Sequence, residues 1–203
     1  MLESSRLVKI KICAPLALAC LTAVIVSAVS PDCELPAKME EILSNAAAVK
    51  SVADKLKNFS DMVYIGRGIN LASALEGALK LKEISYINAN GYAAGELKHG
   101  PIALLDENMP VMAVLGPGIT LPKMISNCEE AKARNALLAA VVSEKADIAP
   151  GLFDYRLNIP DTNETTFPLL ANIPLQLLAY YIADSLGREV DQPRNLAKSV
   201  TVE

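Results

Sequence analysis

Beyond the first thirty residues, apolar positions recur with helical spacing at Leu35, Met39, Ile42, Leu43, Ala46, Val49, Val52 and Leu56, which predicts a helix from about Glu34 to Asn58. Met62-Val63-Tyr64-Ile65 is an unbroken apolar run and reads as a strand buried on both faces. Gly66-Arg67-Gly68 ends that strand, and a long helix is expected from Leu71 to Ile87. Val111 to Leu115 and Leu137 to Val142 read as further strands, with a helix near Leu121 to Arg134 between them. Asp161 to Thr166 reads as a loop, and Phe167 to Leu186 as a last long helix. That helix carries Leu169, Leu170, Ile173, Leu175, Leu177, Leu178 and Ile182 and is apolar nearly all round, a surface expected to want a partner and so to drive self-association. Helices alternating with short apolar strands build a parallel sheet covered on both faces, here a three-layer α/β/α unit of flavodoxin-like type without internal repeats.

The amino end breaks this pattern. Ile12 to Ser30 contains no charge and follows Arg6, Lys9 and Lys11. Two readings stay open: a secretory or membrane segment with the small residues Ser27-Ala28-Val29-Ser30 as a cleavage site, or an apolar helix belonging inside a folded protein. The chain of 203 residues suits one domain with appended segments, divided here as 1–33, 34–190 and 191–203. A net charge of −4 and a pI near 5.2, with no long basic run, give no support for nucleic acid or an anionic membrane as partner and favour small solutes. Cys13, Cys20, Cys33 and Cys128 have neither CxxC pairing nor metal-type spacing and read as free thiols, so no metal site is expected.

Candidate chemistry concentrates in Leu75 to Pro101, LEGALKLKEISYINANGYAAGELKHGP. On a helix Glu76, Lys80 and Glu83 share one face at i, i+4 and i+7, so two carboxylates flank one ammonium where a proton could be moved. An ordinary solvated Glu–Lys pair would give the same spacing. His99 is the single histidine, the one side chain that titrates near neutrality unaided, and a loop residue before Gly-Pro is its plain alternative. Gly66-Arg67-Gly68 stands where open α/β sheets bind ligands, at a strand's carboxyl end beside a helix amino terminus. Lacking a GxGxxG or Walker pattern, it is no nucleotide site and could be a simple turn. In the tail Asp191 to Glu203, Pro193 prevents a continuous helix and Arg194, Asn195 and Lys198 follow or flank it.

Three blocks, Tyr64 to Arg67, Leu75 to Pro101 and DQPRNLAKSVTVE at the end, resemble the second sugar isomerase (SIS) subdomain of the glutamine-fructose-6-phosphate aminotransferase, or glucosamine-6-phosphate synthase, family. The resemblance runs from about Glu34 to Glu203 and implies a SIS fold. It further implies that Glu83 is the base moving a proton between C1 and C2 of a hexose phosphate, and that His99 assists ring opening in a neighbouring subunit. Lys198 would engage the open-chain carbonyl, while Glu76, Lys80, Arg194 and Ala197 would contact substrate. Fructose-6-phosphate and glucosamine-6-phosphate are the implied ligands, in the cytoplasm unless residues 12–30 bring the chain to a membrane, and no cofactor is implied. The family's glutaminase domain, with its cysteine at position 2, and its first SIS subdomain, with the Ser/Thr-rich phosphate loop, have no counterpart here. The resemblance therefore implies either a homo-oligomer or a separate chain carrying those parts. The alternative is a noncatalytic module that binds a carbohydrate derivative or serves in assembly, or a remnant without function. Asn88, Asn90 and Gly91 depart from the family pattern, which has a His, an acid and an Ala there.

Overall fold

Five parallel strands form the centre of the computed structural model, which describes residues 34–194. In chain order the elements are α1 (Leu35–Ser44), α2 (Ala46–Leu56), β1 (Asp61–Gly66), α3 (Asn70–Ser85), β2 (Asn88–Ala93), two short 3-10 turns (Ala94–His99 and Pro101–Leu104), β3 (Val111–Leu115), α4 (Leu121–Lys132), β4 (Leu138–Ser143), β5 (Tyr155–Ile159) and α5 (Phe167–Ser185). The sheet order is β2-β1-β3-β4-β5. Strand order therefore reverses between β1 and β3, as in flavodoxin-like sheets. Tyr64 in β1 lies beside Gly91 on one side and Met112 on the other. The described residues from Ala37 to Arg194 belong to one compact unit, and the description below concerns that unit.

Alternate residues of each strand point to opposite faces of the sheet, which divides the core in two. Val63, Ile65, Val111, Ala113, Leu138, Ala140 and Val142 pack with Met124, Cys128 and Ala131 of α4 and with Ala94 and Leu97 of the first 3-10 turn. The other face receives α2, α3 and α5, and the pair α3 and α5 is the most extensive helix packing in the fold. Gly77 makes this approach feasible. A Cβ there would lie 2.9 Å from the Tyr64 ring and 3.1 Å from Leu175, so only glycine lets α3 sit this close to both β1 and α5.

Several expectations are corrected by the structure. The helix expected over Glu34 to Asn58 is two helices broken at Asn45, whose N–H reaches both Glu41 and Ile42 carbonyls before the chain restarts in α2. α3 ends at Ser85 rather than Ile87, because Tyr86 adopts a left-handed backbone with φ of 67°. Strands β2 and β5 were not among the elements read from hydrophobic runs. The apolar surface of α5 is consumed within the domain: Leu170, Ile173, Leu175, Leu177, Leu178 and Ile182 are all buried. It therefore offers no reason for self-association. The exposed large apolar side chains lie elsewhere, among them Leu75 and Leu79 on α3. No helix among the described residues is long and apolar enough to cross a membrane, and the segment from Ile12 to Ser30 lies outside them.

Candidate active site

The three charged residues of α3 come together as their spacing predicts. Lys80 Nζ donates to Glu83 Oε2 at 2.6 Å and lies 4.0 Å from Glu76 Oε1. The ammonium side chain is only 12% exposed and each carboxylate 25%. That burial separates the cluster from the ordinary solvated pair, whose charges stay in water. Glu76 Oε1 is buried and accepts no hydrogen bond among the described residues. Asn172 Oδ1 and Gln176 Oε1, one turn apart on the neighbouring helix α5, are likewise buried acceptors without a donor. Buried acceptors without donors cost free energy unless a ligand or water supplies the missing hydrogen bond.

His99 ends the first 3-10 turn, exposed, and makes no hydrogen bond or ion pair among the described residues. Its neighbour Lys98 fastens the turn to α4 through Glu130 at 2.7 Å. Among the described residues no hydrogen bond or ion pair joins His99 to Glu83. Arg194 stands at the edge of the described residues, where its N–H donates to the Tyr86 hydroxyl at 2.9 Å and its guanidinium lies 4.2 Å from the centre of the Tyr86 ring. Ala197 and Lys198 fall outside the described residues, as does Asn195.

The crevice at Gly66-Arg67-Gly68 has the position that ligands favour, and the side chains of Asn70 and Glu164 stand close to the neighbouring loop after β3. Asn70 is 1% exposed, and a Cβ on Gly116 at the end of β3 would come within 2.2 Å of its amide. A Cβ on Gly118 would come within 2.6 Å of Glu164 Oε2, so a carboxylate presses on the loop where an anion would have to sit. Arg67 turns toward Gly95, its Nη1 within 3.1 Å of where a Cβ there would be. The plain-turn reading of this glycine pair therefore fits better than a phosphate site. Among the described residues no group of three His, Cys, Asp or Glu could hold a metal ion.

Sequence reasoning overlooked Tyr86, Asn172 and Gln176. A signal existed for the first, an aromatic residue directly after a helix that carries the charged cluster. The other two are polar interruptions in the otherwise apolar α5.

The SIS domain family model matches residues 55–183. The chain is 54% identical over 171 residues to glutamine--fructose-6-phosphate aminotransferase [isomerizing] of a Synechocystis strain, covering 84% of this chain and 27% of that protein. It is 53% identical over 171 residues to the protein of the same name from Thermosynechococcus vestitus, with the same coverage. Among solved structures, the C-terminal domain of glucosamine-fructose-6-phosphate aminotransferase from Francisella tularensis superposes with a TM-score of 0.72 at 34% identity, over 87% of this chain and 53% of that one. The chain thus spans about a quarter of the length of the curated relatives it matches.

Proposed function

Because the chain belongs to the SIS domain family, we propose that it is the isomerase-domain portion of a glucosamine-6-phosphate synthase, with the Glu76–Lys80–Glu83 face of α3 carrying proton transfer on a hexose phosphate. The observation that supports this most is Glu83 held at 2.6 Å by a nearly buried ammonium on the helix where the aminotransferase resemblance is densest. In the open-chain ketose, Glu83 takes a proton from C1; the C–H electron pair forms the C1–C2 double bond and the C2 carbonyl oxygen takes a proton from water to complete an enediol. The C1 hydroxyl then gives its proton back to water and becomes a carbonyl while Glu83 returns its proton to C2, giving the aldose with no net change in atoms or electrons. Lys80 fixes the rotamer of the base and offsets charge, which orients Glu83 for both half-steps. His99, exposed and without a hydrogen bond or ion pair among the described residues, would serve a second copy. Arg194 and Ala197 belong to the tail that borders the substrate, and Lys198 supplies the amine that engages the open-chain carbonyl. Fructose-6-phosphate and glucosamine-6-phosphate are the proposed ligands, and a cytoplasmic location follows from them.

The filled crevice at Gly116 and Gly118 favours a second reading, a carbohydrate-derivative-binding or assembly module without turnover. Glu83→Gln decides between the two. In a preparation supplied with the portion of the Synechocystis enzyme that this chain does not match, the substitution should lower isomerisation by about 10²- to 10⁴-fold while leaving sugar-phosphate binding nearly unchanged. Equal turnover with and without the substitution would remove Glu83 from the mechanism.

A further inference from the structure

Tyr86 follows the last residue of α3 by one position and Glu83 by three. Its φ of 67° is unusual for a bulky side chain, at a helix end where glycine is the common solution. A strained position kept by an aromatic residue points to use of the ring itself. The surroundings show what the use is. Arg194 donates its main-chain N–H to the Tyr86 hydroxyl at 2.9 Å and lays its guanidinium 4.2 Å from the ring centre. Arg188, just beyond the end of α5, brings a second guanidinium to 5.5 Å from the same centre. Two like charges converging on one point repel unless something between them is attractive, and the negative face of an aromatic ring is.

We propose that Tyr86 is the docking post of the carboxyl-terminal segment: ring and hydroxyl together hold Arg194 and so tie the tail to the end of the helix that carries Glu83. Hydroxyl and ring play separate parts. The hydroxyl fixes the main chain at one residue, and the ring holds the cation, so the course of the chain is set at Arg194 rather than merely attracted there.

Limited trypsin digestion of the full chain, followed by mass spectrometry, reads the docking directly. Cleavage after Arg194 should be slow in the native chain, at least tenfold faster in Tyr86→Leu, and intermediate in Tyr86→Phe, which keeps the ring and loses only the hydroxyl. Cleavage after Lys57 and Arg134 serves as the internal control and should not change. Tyr86→Leu that is cut after Arg194 no faster than the native chain would overturn the proposal. So would acceleration of all sites together, which would mean that the residue only stabilises the fold.

Discussion

Lys80 decides the character of the cluster on α3. A lysine on a solvated helix face contributes a few tenths of a kcal/mol through each carboxylate one turn away. At 12% exposure, with one carboxylate at 2.6 Å and another at 4.0 Å, Lys80 instead neutralises two acids that would otherwise repel each other in a partly desolvated setting. The residue types and their i, i+4, i+7 spacing were legible in the sequence; the burial that raises them above a surface ion pair was not, since it depends on α5 packing alongside. Cys128 shows the same dependence on surroundings. Its reading as a free thiol holds, and burial in the α4 face of the core, assisted by the neighbouring charge of Glu129, pushes the thiol up to about 12. The neutral form is thus favoured in the folded state, and the thiolate that reacts with alkylating reagents is scarce at pH 8. Iodoacetamide at pH 8 should leave Cys128 unmodified by mass spectrometry until urea unfolds the chain. Labelling at the rate of a small free thiol would contradict the burial. The sign for stability follows: the contribution of the neutral thiol is full below the unfolded value near 8.5 and declines as pH rises from there toward about 12.

At the scale of elements, the apolar strands β1, β3 and β4 were readable because a central strand buried on both faces shows as an uninterrupted run. The edge strands were not. β2, Asn88–Ala93, has one neighbour and a polar sequence, its Asn88 amide bound to Asp61 at 2.7 Å and its Asn90 carbonyl accepting from Lys82 at 3.2 Å. Asn88 and Asn90 thus make hydrogen bonds along the sheet edge. β5, Tyr155–Ile159, buries Leu157 and Ile159 and exposes Arg156 and Asn158, an alternation that hydrophobic runs cannot reveal but a period of two could have. The break between α1 and α2 escaped because both helices keep one apolar face in phase through Asn45. Asp154 shows how the unforeseen edge is fastened. Partial burial alone would raise its pKa, but Lys132 of α4 at 2.7 Å from both carboxylate oxygens and the Leu138 N–H at 2.8 Å hold it below the usual carboxylate value. Since the folded value is depressed, the contribution is present above about pH 4 and lost as pH falls through the lower folded value. With both side chains about a third exposed, solvent screening limits it, and Asp154→Asn should lower stability by about 1 kcal/mol at pH 7. Urea midpoints of the two chains should converge as pH drops below 4. A constant gap at all pH values would show that the charge is not the cause.

For the whole molecule, the fold class and the cluster on α3 came from the sequence, whereas the completeness of a site cannot be read from one domain. The chain covers 27% of the length of its Synechocystis relative, and its own switch-point crevice is filled by Asn70 and Glu164 rather than open to a phosphate. In the proposed isomerase the phosphate is therefore gripped by surface outside this crevice. Remote binding energy of that kind serves to place C1 and C2 against the base, so its loss lowers turnover as well as affinity. The chain alone should bind fructose-6-phosphate weakly, with a Kd of about a millimolar or higher by calorimetry, and turn it over at a rate near background. Adding the unmatched portion of the Synechocystis enzyme as a separate polypeptide should raise both affinity and rate, and the exposed Leu75 and Leu79 beside the cluster give an added domain an apolar strip to cover. His99 sharpens the test, because among the described residues it makes no hydrogen bond or ion pair with the other candidates. Mixing a Glu83→Gln chain with a His99→Ala chain should recover part of the activity that each lacks by itself, since mixed assemblies then pair an intact base in one copy with an intact histidine from the other. Absence of recovery, with both variants folded and associated by sedimentation, would place His99 in its own chain's site or outside the reaction.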